Sequence, residues 1–210
     1  VGWNEVINYP GHSLVEDNID VYQSSGTANQ PIEIHDTYIQ GAYPYKPAQE
    51  AYTGGGIKTE GSAGDNAQDA PAFNSIHDNQ VVGTANYGIK FAAGHDNIAA
   101  NNRVISSGLL SDGTKIAAQG VGLANGATAG ASASMYNNTM RDNLVGWACW
   151  KSSCAQTGYR KDQFFPASPA DYSTNSVVPT PQITFTMENN EYQVWLNKLS
   201  AAAVSVGPAF

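Results

Sequence analysis

The chain has 210 residues and a formal net charge of −8; charged residues make up only 13% and hydrophobic residues 41%. Ten Lys and Arg in all leave no room for the clustered basic surface that phosphate backbones require, which argues against nucleic acid as a partner. No run approaches the ~18 apolar residues of a membrane span, and this much apolar content at such low charge argues against disorder.

In place of charge the chain carries 21 Gly and 19 Asn, the residues that tolerate φ > 0 in tight turns. Two short phrases recur along it. One places Asp or Asn before an apolar or β-branched stretch: Asp17-Asn18, His35-Asp36-Thr37, His77-Asp78-Asn79, Asn101-Asn102, Asn137-Asn138 and Asn189-Asn190. The other reads Gly-apolar-x: Gly56-Ile57-Lys58, Gly88-Ile89-Lys90 and Gly122-Leu123-Ala124, with Gly2-Trp3-Asn4 fitting it at the start. The shortest steps between like phrases are about 20 residues, with one double step and longer insertions between the others. A unit that short cannot bury an apolar face alone and must stack on copies of itself.

In chain order, the brief apolar runs between Gly and Asn corners read as strands, two or three to a turn. A Pro/Tyr-rich loop at about 42–56 carries Tyr43, Tyr45 and Tyr52, and a second loop at 148–181 carries Cys149, Trp150, Cys154 and Tyr159. Ile183 to Met187 alternates as a last strand. From Glu191 to Ala203 the period changes to that of an amphipathic helix, with Asn190 and Gln193 spaced as a capping box. The expected organisation is a parallel β-helix over 1–190 and a capping helix with tail over 191–210. A sandwich would not repeat the same Asn corner, and a leucine-rich repeat needs leucines that the chain lacks. About five turns are expected, with Asn18, Asn79, Asn102 and Asn138 stacked at one inward corner. Since the repeat phrase begins at Val1, further N-terminal turns in a longer chain, or a neighbouring copy, are expected to cover the open end.

Several residues could carry chemistry. His35 and His77 each precede an Asp; placed two turns apart they would lie about 9–10 Å from each other. Lys58 and Lys90 follow Gly-Ile in equivalent turns, so alternation directs both outward on one sheet. Like charges stacked in register are unfavourable, and an anionic ligand would relieve the conflict. Tyr43, Tyr45, Tyr52, Trp147 and Trp150 offer flat amphipathic rings suited to sugar faces, or else hold the loops to the solenoid. Cys149 and Cys154 are either a local disulfide, which would indicate an oxidising compartment, or a pair of buried thiols. Two Cys cannot form a structural zinc site.

The Asn corners and the stretch from Asn74 to Ser107 resemble the right-handed parallel β-helix, pectate-lyase-like superfamily, over residues 1–145 and the last strand. The resemblance implies a secreted or cell-surface protein that binds or cleaves an acidic polysaccharide, by a lyase reaction if it is an enzyme. It implies Lys58 or Lys90 as the base, Arg103 as a carboxylate partner, His77 on the groove, and Glu60, Asp65 and Asp69 as an acid or metal group. No cofactor is required; calcium would need an acidic cluster that the spacing does not display. The alternative is a non-enzymatic adhesive module that assembles end to end into a fibre or surface layer.

Overall fold

A computed structural model of the chain describes residues 1–50, 54–62, 64–117, 120–127 and 131–207. Each turn of a parallel β-solenoid supplies up to three strands. The first holds β1 (Glu5–Ile7), β2 (Asp17–Tyr22) and β3 (Ile32–His35); the second β4 (Tyr38–Ala42), β5 (Gly55–Glu60) and β6 (Asn74–His77). The third holds β7 (Gln80–Thr84), β8 (Tyr87–Phe91) and β9 (Ile98–Ala100); the fourth β10 (Arg103–Ser106), β11 (Val121–Asn125) and β12 (Thr139–Arg141). The fifth holds β13 (Leu144–Trp147) and β14 (Gln163–Phe164), and β15 (Ser176–Val177) begins the next. Stacking yields three sheets, ordered β1-β4-β7-β10-β13-β15, β2-β5-β8-β11-β14 and β3-β6-β9-β12. We call them the β1, β2 and β3 sheets. The loop at 148–181 is therefore no mere insertion, since it supplies β14 and β15.

The Asp/Asn phrase makes the corners, and it does so by dividing the work between two residues. The first takes the left-handed conformation, at φ 53° in Asp36, 57° in Asp78, 57° in Asn101 and 58° in Asp142, which Asp and Asn accept more readily than most residues. The second points inward and stacks. The Asn102 carboxamide accepts from the Asn79 backbone N–H at 3.0 Å and from its Nδ2 at 3.0 Å. It donates to the Ile76 carbonyl at 2.9 Å and to Asn143 Oδ1 at 3.0 Å. All four hydrogen bonds of a buried amide are thereby met, and Asn175 extends the column by donating to Met140 O at 2.7 Å.

The single corner expected from the sequence is in fact three. Asn79, Asn102, Asn143 and Asn175 form one ladder; Asn74, Asn97 and Asn138 form a second. Asn18 sits at a third, accepting from Asn8 Nδ2 at 2.6 Å. The period also needs correction. Successive residues of the first ladder column, from Thr37 onward, are separated by 42, 23, 41 and 32 residues, each a single turn. The step of 42 is one turn with long loops rather than two turns. Gly2 belongs to neither phrase's column in the β2 sheet; it bridges to His35 beside the β3 sheet.

Inside the solenoid Ile39, Ile57, Ile76, Val81, Ile89, Phe91, Val104, Leu123, Val145 and Trp147 form a core with essentially no exposure. A second core lies outside it. Helix α1 (Phe185–Ala202) covers the outer face of the β1 sheet, packing Trp195, Leu199 and Ile183 against Tyr38, Val82 and Ile105. It runs antiparallel to the strands beneath, since Glu188 meets Ser107 at the strand ends while Lys198 meets Asp78 at their starts. The expected strand at 183–187 is instead the approach to this helix, Ile183 and Thr184, and its first residues from Phe185. Its cap is Thr184, which accepts from the Met187 N–H at 3.2 Å, and not Asn190. The helix closes a flank rather than the end of the solenoid. Alternation at 183–187 misled because Ile183 and Met187 both pack on the flank from a helical approach.

Candidate functional site

The outer face of the β2 sheet is left uncovered by α1, and the Gly-apolar-x phrase builds it. Gly56, Gly88 and Gly122 let this sheet approach the β1 sheet: a Cβ on Gly88 would lie 2.2 Å from Val104 Cγ1, and one on Gly122 2.5 Å from Val145 Cγ1. Ile57, Ile89 and Leu123 then fill the core, and the next residue of each strand projects outward. Register pairs Asp20 with Lys58, Lys58 with Lys90, Lys90 with Ala124, and Ala124 with Phe164. The two lysines are thus stacked directly, as alternation predicts.

Their surroundings differ. Lys58 is buried, with its ammonium 2.5 Å from Glu60 Oε2 and 3.4 Å from Asp17 Oδ2. Burial alone would lower its pKa, but the Glu60 hydrogen bond and the charges of Asp17 and Asp20 raise it. Burial pushes the exposed-edge carboxyl of Asp20 up to about 6, against the pull of Lys58 and with the help of Glu60, Asp17 and Glu16. Tyr87 donates to Asp17 Oδ1; burial first, and that bond second, raise its pKa. Lys90 has no acidic partner within 4.0 Å among the described residues. Burial and the neighbouring Lys58 charge both lower its pKa, and its ammonium lies 5.6 Å from the Tyr87 ring centre.

Beside Lys90 opens a groove of about 240 Å³ lined by Tyr87, Val121, Phe164 and Pro166 and flanked on its far side by Lys161. The Lys161 ammonium rests 4.9 Å from the Phe164 ring centre. Among the described residues neither lysine has a carboxylate partner within 4.0 Å, and both line one concavity with the exposed ring of Phe164 and the buried ring of Tyr87. Nothing in the sequence marked Lys161, because it arrives from the loop before β14 and not from the repeat.

The Asp17, Asp20 and Glu60 oxygens lie within 4.8 Å of one another. This acidic group replaces the one expected from Glu60, Asp65 and Asp69: the Asp65 carboxylate instead accepts from Gln23 Nε2 at 2.9 Å and from the Ser62 N–H at 2.6 Å. Calcium requires six to eight oxygens. Here Glu60 and Asp17 hold the Lys58 ammonium, which already supplies the positive charge, so the group does not fit that ion.

The remaining residues singled out in the sequence lie elsewhere. Arg103 is on the β1 sheet, under α1, in a bidentate pair with Glu191 at 2.6 and 2.7 Å; it does not reach the lysines. His77 is on the β3 sheet, stacked on His35 with ring centres 5.3 Å apart, because the two are in adjacent turns and directly paired. Tyr43 and Trp147 are buried, the first beside Ala85 and Ile116 and the second inside the solenoid. Trp150 donates to the Ser107 carbonyl at 2.9 Å and carries Lys115 over its ring. Tyr45 is exposed, and Tyr52 lies outside the described residues. Cys149 and Cys154 are joined in a disulfide that pins the 3₁₀ turn at Ser152–Thr157. No helix is long and apolar enough to cross a membrane among the described residues. Models of protein families, curated proteins and solved structures were all compared with the chain, and none of the three gives a match.

Proposed function

We propose that the chain binds an acidic polysaccharide in the groove between Lys90 and Lys161, as a secreted or cell-surface protein of the pectate-lyase-like kind. The observation that carries this reading is Lys90 itself, a half-buried cation stacked on a second lysine, without a carboxylate partner, at the mouth of an aromatic-lined groove. A uronate carboxylate would relieve that stacked charge, and the exposed ring of Phe164 offers a face to a sugar ring. The same site can support β-elimination. Lys90, whose pKa is lowered, takes in its neutral form the proton from C5 of the uronate, and Lys161 faces the carboxylate as charge builds there. The C4–O bond breaks to leave a C4–C5 double bond, while the departing oxygen takes a proton from water and leaves as the hydroxyl of the other chain end. Arg103, paired under α1, has no part in it.

The test is twofold: affinity electrophoresis in gels containing pectin, alginate or a glycosaminoglycan, and ultraviolet absorbance of unsaturated uronates in solution. Retardation by one of these polymers that is lost in Lys90→Ala and Lys161→Ala supports binding, and appearance of the chromophore supports the lyase step. Unretarded migration in all of them removes the reading.

A second reading is favoured by the first turn. Val6 and Ile19 belong to the inner core yet remain only partly buried, because no strand precedes β1 or β2 among the described residues. Such an edge accepts a further turn of parallel strands. That edge is met either by further turns of a longer chain or, in an adhesive or filament-forming module, by a neighbouring copy; light scattering at rising concentration separates a monomer from such an assembly.

A further inference from the structure

His35 and His77 are register partners on β3 and β6, with rings 9° from parallel and centres 5.3 Å apart. Each makes the same contact: Nδ1 lies 2.8 Å from Oδ2 of the Asp that follows it, Asp36 or Asp78. An ionised carboxylate only accepts, so Nδ1 carries the proton in both rings and Nε2 keeps its lone pair. That is the arrangement found around metal-ligating histidines, where a carboxylate on one nitrogen fixes the tautomer and raises the basicity of the other. Neither Nε2 has a hydrogen-bond partner among the described residues. The side chains are 27% and 28% exposed, so both rings are partly open to solvent.

We propose that His35 and His77 form a two-histidine site for a borderline divalent transition ion, Zn²⁺ or Ni²⁺, clamping the first and second turns of the solenoid. An imidazole nitrogen binds zinc at about 2.0–2.1 Å, so a tetrahedral ion holds two Nε2 atoms about 3.3 Å apart. The rings stand 5.3 Å apart and nearly parallel, so both side chains must turn toward each other, Nε2 first, to close the chelate. Gly2 packs closely on the His35 ring, where a Cβ would be 2.4 Å from Nε2, and the small Ala100 is the register partner of His77, so the stacked pair is bounded by small residues at both ends of the column. Glu33 lies on the same outer face two residues before His35, but no third His, Cys, Asp or Glu among the described residues groups with the two rings, so water fills the ion's remaining positions. Lys198 is the nearest opposing charge, and its ammonium is already held by Asp36 Oδ1 at 2.5 Å. Hard ions such as Mg²⁺ and Ca²⁺ prefer oxygen ligands and are excluded by the donor set.

The third His-Asp pair supplies an internal control. His95 also sets Nδ1 against its Asp, at 2.6 Å, but spends Nε2 on the Ala67 carbonyl at 2.8 Å, so it has no lone pair to offer. Calorimetric titration of the whole chain with Zn²⁺ and with Ni²⁺ should show one site. Affinity should fall about tenfold or more in His35→Gln and in His77→Gln, fall about tenfold in Asp78→Asn through loss of the orienting carboxylate, and be unchanged in His95→Gln and in Glu60→Gln. The unmodified protein gives a reading free of folding artefacts: in its proton NMR spectrum substoichiometric Ni²⁺ should broaden the ring signals of His35 and His77 but not His95. Absence of binding, binding unchanged in both His35→Gln and His77→Gln, or broadening confined to other histidines would each overturn the proposal.

Discussion

On the flank covered by α1, ionised groups are enclosed together with their partners. Arg103 holds Glu191 with two hydrogen bonds and Lys198 grips Asp36; Glu188, which has only the Ser107 N–H at 2.5 Å, is the exception. On the bare flank of the β2 sheet the outcome is mixed. Lys58 is enclosed by Asp17 and Glu60, but Lys90, one strand further, and Lys161 in the same groove have no carboxylate partner among the described residues. Both flanks are built on the same turns of the same solenoid, so the difference does not come from the repeat. It comes from what was added: a helix that supplies complementary charges on one side, and on the other a loop that supplies one more cation. Charges left uncompensated beside a concavity are the ones available to a ligand.

The largest effect expected from this contrast is at Trp195, fully buried between α1 and the β1 sheet, with its indole N–H on the Asp36 carbonyl at 2.9 Å. Trp195→Ala should cost about 4 kcal/mol in chemical denaturation, from lost transfer energy and an unfilled cavity. A loss below about 1 kcal/mol would mean that the helix is an accessory and that the flank is not truly closed.

Arg103→Met comes next. It leaves Glu191, with only 5% of its side chain exposed, unpaired. Breaking a buried pair costs about 3–5 kcal/mol; because the Arg103 side chain is 35% exposed, solvent screening brings the expectation down to about 2. The double variant Arg103→Met/Glu191→Leu should recover most of that loss, since both charges then disappear.

Much of this was legible in the sequence, and the failures have physical causes. The Gly56-Ile57-Lys58 and Gly88-Ile89-Lys90 phrases gave the register of the β2 sheet because close sheet approach, core filling and outward projection each demand one residue type. The Asp/Asn phrase gave the existence of corners. It did not distinguish three corners, because each needs the same pair of conformations: Phe73, Asp96 and Asn137 take positive φ before Asn74, Asn97 and Asn138, as Asp78 does before Asn79. Turn length was misjudged at His35 and His77, since loops of free length separate fixed corners. The Arg103–Glu191 pair, separated by 88 residues, and the arrival of Lys161 beside Lys90 depend on how the helix and the last loop fold back, and no local pattern records that. The aromatic residues of the two long loops resembled a sugar platform, yet Tyr43 and Trp147 are core.

Glu188 makes the covered flank sensitive to pH. Its carboxyl is buried between Ser107, Gly83 and Tyr43, and desolvation raises its pKa from 4.5 to about 7, against the pull of the Ser107 N–H. A carboxyl whose folded pKa is raised binds its proton more tightly in the folded state. Its contribution is therefore present below pH 4.5 and lost as pH rises through about 7. Asp20 acts in the same direction at lower pH and Asp36 in the opposite one, so the variant isolates the term. Between pH 5 and 8 the protein should lose about 2 kcal/mol relative to Glu188→Gln. Parallel stability–pH curves for the two proteins would show that the Glu188 carboxyl is solvated and that the flank is open there.

The smallest effect is expected at Lys90, and its smallness is the point. Methionine keeps the aliphatic stem that packs near Tyr87 and removes a charge that repels Lys58, without orphaning any carboxylate. Lys90→Met should therefore change stability by no more than about 0.5 kcal/mol, in the stabilising direction. Lys58→Met, which strips Asp17 and Glu60 of their counter-charge, should be destabilising by about 1–2 kcal/mol. Residues kept for a ligand are tolerated at some expense to the fold, whereas residues kept for the fold are missed when removed. If Lys90→Met is instead as damaging as Lys58→Met, Lys90 belongs to the structural charge network of this flank. The groove beside it would then hold one unpartnered cation, too few to orient a uronate by its carboxylate and present C5 to a base.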